Sequence, residues 1–227
     1  MKYRTIETLK ENHDAVKERY SVKPSWAITD PETRAWITKH IPTDSQILDI
    51  GSASGAALAE LKKYGYKNIS GIDLDNYLTQ VTKEDFASFA YVNLNTERIP
   101  HPDKTFDHVI AFAVLEHLEN AFHFARESAR ILKSGGYIVV TLPNIYRINS
   151  AANLFFKRYI QGYNKYNDHI MLLTEEIFEK AFGGNFDLVK KFYSPGFIRI
   201  PFIRRKIKVG PSRLFSTKAC YILRKKA

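Results

Sequence analysis

The sequence predicts an α/β fold: a doubly wound, mostly parallel seven-stranded sheet with helices on both faces and an antiparallel hairpin at its C-terminal end. Two observations indicate this class. Short apolar strand patterns alternate with helical patterns between residues 46 and 142, as in parallel sheets. Two further strand patterns, 186–193 and 218–223, follow on either side of a basic, apolar connection.

The strands are predicted from apolar runs bounded by turn residues. They are expected at 46–50, 68–74, 89–94, 106–113, 137–142, 186–193 and 218–223. The fifth run is apolar enough to be buried on both faces of the sheet.

The helices are predicted from capping residues and from apolar spacing of three and four. Expected helices are 5–20, 31–39 with Asp30 as N-cap, 55–64 closed by Gly65, a short one near 149–160, and one capped by Thr174. A long helix is expected to start near Leu115 and to end at Ser134-Gly135-Gly136. Its buried face would carry Leu115, Leu118, Phe122, Ala125, Ala129 and Leu132.

Length and composition restrict the class of protein. The chain has 227 residues with 44% hydrophobic residues, which suits one domain with a large core. We expect a helical cap at 1–42, a core at 43–143 and further elements at 144–227. Its single cysteine, Cys220, excludes an internal disulfide and a zinc site built from several thiolates, and the sequence itself indicates no metal site. No apolar run reaches the ~20 residues of a membrane span, and we expect a cytoplasmic location.

A glycine-containing turn follows the first strand. The segment Ile47-Leu-Asp-Ile-Gly-Ser-Ala-Ser-Gly55 leads from a strand into a helix. Small residues there let a ligand approach the backbone, and the helix N-terminus offers free N–H donors. Asp49 is placed to hold a cation such as an amino group. Turns of this kind also occur without a ligand.

An acidic residue ends the second strand. Asp73, in Gly71-Ile-Asp73-Leu-Asp75, lies about 20 residues past the glycines, a spacing that suits hydrogen bonds to the hydroxyls of a ribose. A solvated turn aspartate is the alternative, but the two features together favour a nucleotide-like ligand.

These segments resemble the class I S-adenosylmethionine-dependent methyltransferases, in particular their broad small-molecule group. Besides the glycine turn and Asp73, three stretches match in order: 93–107, Val114-Leu-Glu-His-Leu118 and 132–144. The match covers about residues 45–145 closely. It implies a Rossmann-like methyltransferase fold and S-adenosylmethionine as cofactor.

The resemblance also implies roles for individual residues. Those expected to hold the methionine end of the cofactor are Asp49, Gly51, Ser52, Ala53 and Gly55. Asp73 would bind the ribose, Leu74 would pack on the adenine, and Asn93 and Leu94 would border its amine. Ala113, at the end of the fourth strand, would lie near the methyl donor.

Two positions depart from the family pattern. The family's middle glycine is Ala53 here, and we expect it to take the negative φ that alanine adopts without difficulty. The adenine-binding aspartate is Asn93, whose carbonyl oxygen can still accept from an amine.

Two histidines are candidates for a general base. A hydroxyl acceptor must lose a proton, and an unperturbed imidazole titrates near pH ~6.5. His117 is expected at the start of the long helix, and His169 is expected to enter the helix after the fifth strand. The resemblance places a similar histidine in enzymes that act on sugar or polyketide-like acceptors. For each, the alternative is a packed histidine that orders a loop.

The net charge of +10 raises the question of an anionic partner. Cations alternate with Ile and Phe over 197–209, which could contact an anionic membrane or the phosphates of a lipid-linked or nucleotide-linked acceptor. A solvated hairpin with a basic face is the favoured interpretation. We expect a small-molecule, sugar or lipid-linked acceptor; nucleic acid is disfavoured, and the sequence does not indicate an oligomeric state.

Two other functions are kept as alternatives. A nicotinamide-dependent (NAD) oxidoreductase would use Gly51-x-Ala53-x-x-Ala56 as a degenerate fingerprint and Asp73 for the ribose. A catalytically inactive adaptor would use the basic charge to bind nucleic acid or membrane. Asp49 and the Glu116-His117 pair favour methyl transfer over the oxidoreductase, and the small number of aromatic residues among the cations outside 195–215 disfavours the adaptor.

Overall fold

The computed structural model describes residues 30–160, 162–163, 169–199 and 206–227. It contains a seven-stranded sheet and a separate two-stranded hairpin. The strands are β1 Ile47–Ile50, β2 Ile69–Asp73, β3 Phe89–Tyr91, β4 Phe106–Phe112, β5 Leu132–Pro143, β6 Phe186–Tyr193, β7 Gly196–Arg199, β8 Lys206–Val209 and β9 Lys218–Lys225. The predicted helix at 5–20 lies outside the described residues.

The strand order of the large sheet is β3-β2-β1-β4-β5-β9-β6. The first five strands are parallel, whereas β9 runs antiparallel to both β5 and β6. Strand β1 lies in the middle of the sheet, and β2 and β3 extend the sheet from β1 to one edge. Strand β4 then pairs with β1 on its other side. The carboxyl ends of β1 and β4 therefore flank a topological switch point, where ligands bind in open α/β sheets. The predicted fold class is confirmed.

Three of the five described helices begin at a residue whose side chain caps the first turn. The five are α1 Pro31–His40, α2 Ala56–Lys62, α3 Ala121–Ile131, α4 Ile148–Lys157 and α5 Glu175–Phe182. The backbone N–H of Thr33 donates to the Asp30 carboxylate, and that of Ile177 donates to the Thr174 hydroxyl. Both N-cap predictions are therefore confirmed, since the Asp30 and Thr174 side chains satisfy a free N–H of the first turn.

Helices cover both faces of the sheet. On one face, α3 and α5 contribute Phe124 and Phe182 to a core with the β4 residue Val109. On the other, α1 and α2 contribute Trp36 and Leu61 to a second core. All four residues of β1 are buried, because it lies in the middle of the sheet with helices on both sides.

The long helix differs from the prediction. Leu115–His117 forms a 3-10 turn, and α3 starts only at Ala121, where the Asn120 side chain accepts from the His123 N–H. Phe122 is 43% exposed, because the change from a 3-10 turn to α-helix shifts the register of the buried face.

The glycines after α3 belong to a strand and do not end the helix. The helix ends at Ile131, and Ser134-Gly135-Gly136 lies within β5. The pairing of β4 with β5 shifts here, from Phe106–Leu132 to His108–Tyr137. The glycines allow this irregularity, because a Cβ on Gly136 would overlap the carbonyl oxygen of Asp107.

The connection between β6 and β9 contains the small hairpin. Strands β7 and β8 pair antiparallel to each other, which agrees with the predicted hairpin extension. Residues 200–205 of the basic segment lie outside the described part of the chain. Among the described residues, no helix combines the length and the apolar character needed to cross a membrane.

The bulge in β5 yields a stability prediction. Gly136→Ala should destabilise the protein by about 2–3 kcal/mol, because the added methyl group meets backbone oxygens that cannot move aside. Gly184→Ala is the matched control, since nothing lies within 4 Å of its added Cβ. Urea denaturation of both variants measures the difference; equal midpoints would contradict this account of the bulge.

Candidate functional site

The turn between β1 and α2 forms a backbone cradle at the carboxyl end of β1. Gly51 and Gly55 have φ values of +71° and +79°, which favour glycine. The N–H of Gly51 donates to the Ile72 carbonyl at 2.9 Å, which ties the cradle to β2. A Cβ on Gly51 would lie 2.5 Å from Val114 Cγ2, and one on Gly55 would overlap Val81. These positions therefore accept no side chain.

Ala53 does not adopt the negative φ that we expected. Its φ is +45°, so the backbone keeps the left-handed conformation that suits the family's glycine. This conformation costs an alanine about 1 kcal/mol, because its Cβ crowds the following carbonyl. The Ala53 N–H donates to Asp73 Oδ2 at 2.7 Å, and this bond helps to hold the strained turn.

Asp49 lies beneath the cradle and is 2% exposed. Its Oδ2 has no hydrogen-bond partner among the described residues. Burial, together with the nearby negative charge of Asp73, raises the pKa of Asp49 to about 7. A buried carboxylate oxygen without a donor is the acceptor that a cationic amino group requires, so the side chain suits the methionine end of the expected cofactor.

Asp73 ends β2 next to the cradle. Its two oxygens accept N–H bonds from Ala53 and Leu74, each at 2.7 Å. Burial raises its pKa to about 6, although the two N–H bonds and the nearby His117 lower it. Each oxygen retains a second lone pair that can accept a ribose hydroxyl.

The expected adenine side follows β3. Asn93 and Leu94 are buried, whereas Leu74 is half-buried at the end of β2. Asn93 Oδ1 accepts the Asn95 N–H at 3.1 Å, and the Asn93 N–H donates to Glu97 at 2.8 Å. The asparagine thus orders the turn after β3, and one lone pair of its carbonyl oxygen remains for an amine.

The two histidines meet at the same end of the sheet. Their ring centroids are 4.8 Å apart with an edge-to-face orientation. His117 lies in the 3-10 turn after β4, where its N–H donates to the Val114 carbonyl. His169 lies before α5 and is held there because the N–H groups of Ile170 and Met171 donate to the Glu116 carbonyl. Ala113, with a φ of +59°, joins β4 to this turn.

A buried carboxylate and a half-buried phenol lie next to the histidines, and the Tyr163 ring is 5.2 Å from that of His169. The Glu116 side chain is buried, and its charge raises the pKa values of Tyr163 and Lys218. Burial nevertheless lowers the pKa of Lys218 to about 8 and is the main cause of the raised pKa of Tyr163. Neither Tyr163 nor Lys218 was predicted from the sequence as part of this site. The one available signal was a lysine at the start of the apolar last strand.

Glu116, His117 and His169 also form a set that could hold a metal ion. One ligand atom from each residue lies within 4.8 Å of the others. Imidazole and carboxylate together are ligands of zinc and other transition metals. Sequence reasoning did not anticipate this set, because its third member is about 50 residues from the other two.

Comparison with known proteins agrees with this geometry. Residues 48–140 match the sequence family described as a methyltransferase domain. The human EEF1A lysine methyltransferase 2 is 32% identical over 124 residues, which are 48% of this chain and 52% of that protein. The ubiquinone biosynthesis O-methyltransferase of Rickettsia bellii is 26% identical over 154 residues, 64% of this chain and 63% of that one. The chain thus spans about half of the human relative.

Solved structures share the fold over nearly the whole chain. A putative methyltransferase in complex with the Haloferax volcanii Trm112 methyltransferase activator superposes with a TM-score of 0.68 and 17% identity, covering 96% of this chain and 98% of that one. A Thermotoga maritima S-adenosylmethionine-dependent methyltransferase gives a TM-score of 0.63 and 15% identity, covering 96% and 99%.

The family match and the relatives decide between the cofactors considered above. They favour S-adenosylmethionine over NAD, and the acceptor oxygen at Asp49 and the glycine cradle suit that cofactor. Residues 48–140 therefore match a methyltransferase domain, and the relatives and solved structures together support a class I S-adenosylmethionine-dependent methyltransferase.

Proposed function

We propose that the protein transfers a methyl group from S-adenosylmethionine to a hydroxyl oxygen of a small-molecule or glycan-type acceptor. The observation that carries the proposal is the meeting of His117 and His169 beside the cofactor cradle. In this proposal residues 43–143 hold the cofactor, and residues 1–42 and 144–227 shape the acceptor pocket.

The cofactor supplies an electrophilic methyl group on a sulfonium, and the residues of the chain hold and orient it. Asp49 accepts from its amino group, and the cradle from Gly51 through Ser52 and Ala53 to Gly55 surrounds its methionine end. Asp73 binds the ribose, Leu74 packs on the adenine, and Asn93 and Leu94 border its amine. Alignment of donor and acceptor then provides much of the rate enhancement.

The histidines would act on the acceptor. His117 lies close enough to Asp73 to influence its titration, and Val114, three residues before it, contacts Gly51. An imidazole beside the cofactor cradle would take the hydroxyl proton as the acceptor oxygen bonds to the methyl carbon and the bond from that carbon to sulfur breaks, with S-adenosylhomocysteine as the leaving group. His169 is the proposed base, and His117 is the residue that packs against it and orients it.

The choice of oxygen as the acceptor atom has some support among the relatives. The Rickettsia protein is described as an O-methyltransferase, whereas the human relative acts on lysine. A lysine amine that has already lost its proton attacks without a base, but a hydroxyl benefits from one. The paired histidines therefore favour a hydroxyl acceptor.

The buried Asp49 generates a prediction on stability and pH. Its folded-state pKa of about 7 lies above the ordinary value of 3.8, so ionising it opposes folding, and this cost develops between those two pH values. Asp49→Asn should therefore stabilise the cofactor-free protein by about 2–4 kcal/mol at pH 8 and have little effect near pH 4. Thermal melting across this pH range tests the sign.

The same variant should respond less to S-adenosylhomocysteine, because an asparagine at position 49 would carry no charge for the amino group. We expect the increase in Tm with this ligand at pH 8 to fall to less than half that of the natural protein. A variant that is no more stable, yet responds fully to the ligand, would contradict the role of Asp49.

The base assignment is tested by release of S-adenosylhomocysteine. The acceptor panel is a phenol, a nucleotide-linked sugar, a polyprenyl-linked sugar and a lysine peptide. His169→Ala should lower kcat on hydroxyl acceptors about 10²–10³-fold and remove the acidic limb of the pH profile, with cofactor affinity unchanged. His101 provides the control, because it packs against Phe106 at the amino end of β4, away from the cofactor cradle, and His101→Ala should leave kcat intact.

Three results would oppose the proposal. They are an unchanged pH profile in His169→Ala, turnover confined to the lysine peptide, and loss of activity on chelation with EDTA. Loss of activity with EDTA would indicate that Glu116, His117 and His169 bind a metal ion and that neither histidine acts as a general base.

A further inference from the structure

The helix α4 exposes its apolar side to solvent. Phe155 and Phe156 are 82% and 78% exposed, and Ile148 is 52% exposed. At 3.6 residues per turn, these three side chains fall within an arc of about 100°. Ser150, on the opposite side, is the only residue of the helix that is buried. The helix therefore packs through a small polar residue and leaves its large apolar residues facing water.

The loop after the small hairpin extends this apolar surface. The Ile148 N–H donates to the Leu214 carbonyl at 2.9 Å, so the exposed Leu214 lies next to the start of α4. Asn144 holds this arrangement in place, because its side-chain amide donates to the carbonyls of Arg213 and Ser216 at 2.7 and 2.8 Å. The helix is thus fixed to the body of the protein at its N-terminal end.

Cations lie at both ends of the apolar ridge. Residues 144–160 contain Arg147, Lys157 and Arg158 and no acidic residue. Arg213, on the adjoining loop, lies over the Tyr146 ring at 4.3 Å, and its guanidinium is 3.6 Å from the Glu175 carboxylate. An apolar strip bordered by cations matches the interface of a membrane that carries anionic lipids.

We propose that α4 and the Leu214 loop form a docking surface for the headgroup region of an anionic membrane. Phe155 and Phe156 enter the acyl boundary, and Lys157 and Arg158 contact the anionic headgroups. The rings of the two phenylalanines are 5.1 Å apart in an edge-to-face arrangement and form one compact wedge. The residues of this surface are different from the segment 197–209 that the sequence suggested.

Other occupants suit this surface less well. Two copies of the chain that met through it would bring like charges together without acidic partners. A nucleic acid would satisfy the cations and could stack on aromatic rings, but it would leave Ile148 and Leu214 against a charged backbone. A lipid interface accommodates both the aliphatic residues and the cations.

Sedimentation of the full chain with sucrose-loaded vesicles tests the proposal. We expect binding to vesicles of equal parts phosphatidylglycerol and phosphatidylcholine at about 50 mM salt, and at least tenfold weaker binding to phosphatidylcholine alone. Phe155→Ser/Phe156→Ser should lower the partition coefficient at least tenfold, and Lys157→Glu/Arg158→Glu should abolish the preference for anionic vesicles.

Phe122→Ser is the matched control, because Phe122 is an exposed phenylalanine on another helix and its loss should leave binding unchanged. Phe155→Trp keeps the proposal testable if the double variant does not fold. The fluorescence of the introduced tryptophan should shift to shorter wavelength when anionic vesicles are added. No binding by the natural protein, equal binding by the double variant or an unshifted tryptophan would overturn the proposal. So would single-stranded RNA binding or dimer formation that depends on Phe155 and Phe156 in the absence of vesicle binding.

Discussion

The pairing of β1 with both β2 and β4 is the constraint on which the rest of the structure depends. The parallel register brings Asp49 level with Gly71 on one side and with Ile110 on the other. The carboxyl ends of parallel strands lie at one edge of the sheet. The glycine cradle after β1 and Asp73 at the end of β2 are therefore brought together by strand pairing alone. All four residues of β1 are buried. A shift of its pairing by one residue would turn Asp49 to the opposite face of the sheet, so the packing on both faces opposes such a shift.

The site stores unfavourable free energy that a cofactor can offset. Burial disfavours the ionised forms of Asp49 and Asp73, and Ala53 is held in a left-handed conformation. A ligand with an amino group and a ribose would satisfy both carboxylates, so binding and stability are expected to be strongly linked. The Ala53–Asp73 hydrogen bond connects the strained turn to the second strand and makes the cradle one unit with β2.

Features set by neighbouring residues could be predicted from the sequence, but long-range features could not. Local chemistry determines the N-caps at Asp30 and Thr174. Recognisable spacing in the sequence indicated the mostly parallel sheet and the glycine turn. The φ of Ala53 was predicted wrongly because the turn geometry, imposed by Asp73, overrides the preference of alanine. The contact of His117 with His169 needs the folded chain to bring together segments about 50 residues apart. The exposed face of α4 was missed because an amphipathic pattern does not say which side faces the protein.

Calorimetric titration of the cofactor product tests the central claim, that the ends of β1 and β2 together form the cofactor site. S-adenosylhomocysteine should bind the natural protein with micromolar affinity, and NAD should not bind. Asp73→Ala should weaken S-adenosylhomocysteine binding about 30-fold to 100-fold, because hydrogen bonds between ribose hydroxyls and a charged group are lost. Unchanged affinity in Asp73→Ala, or binding of NAD without S-adenosylhomocysteine, would contradict the account.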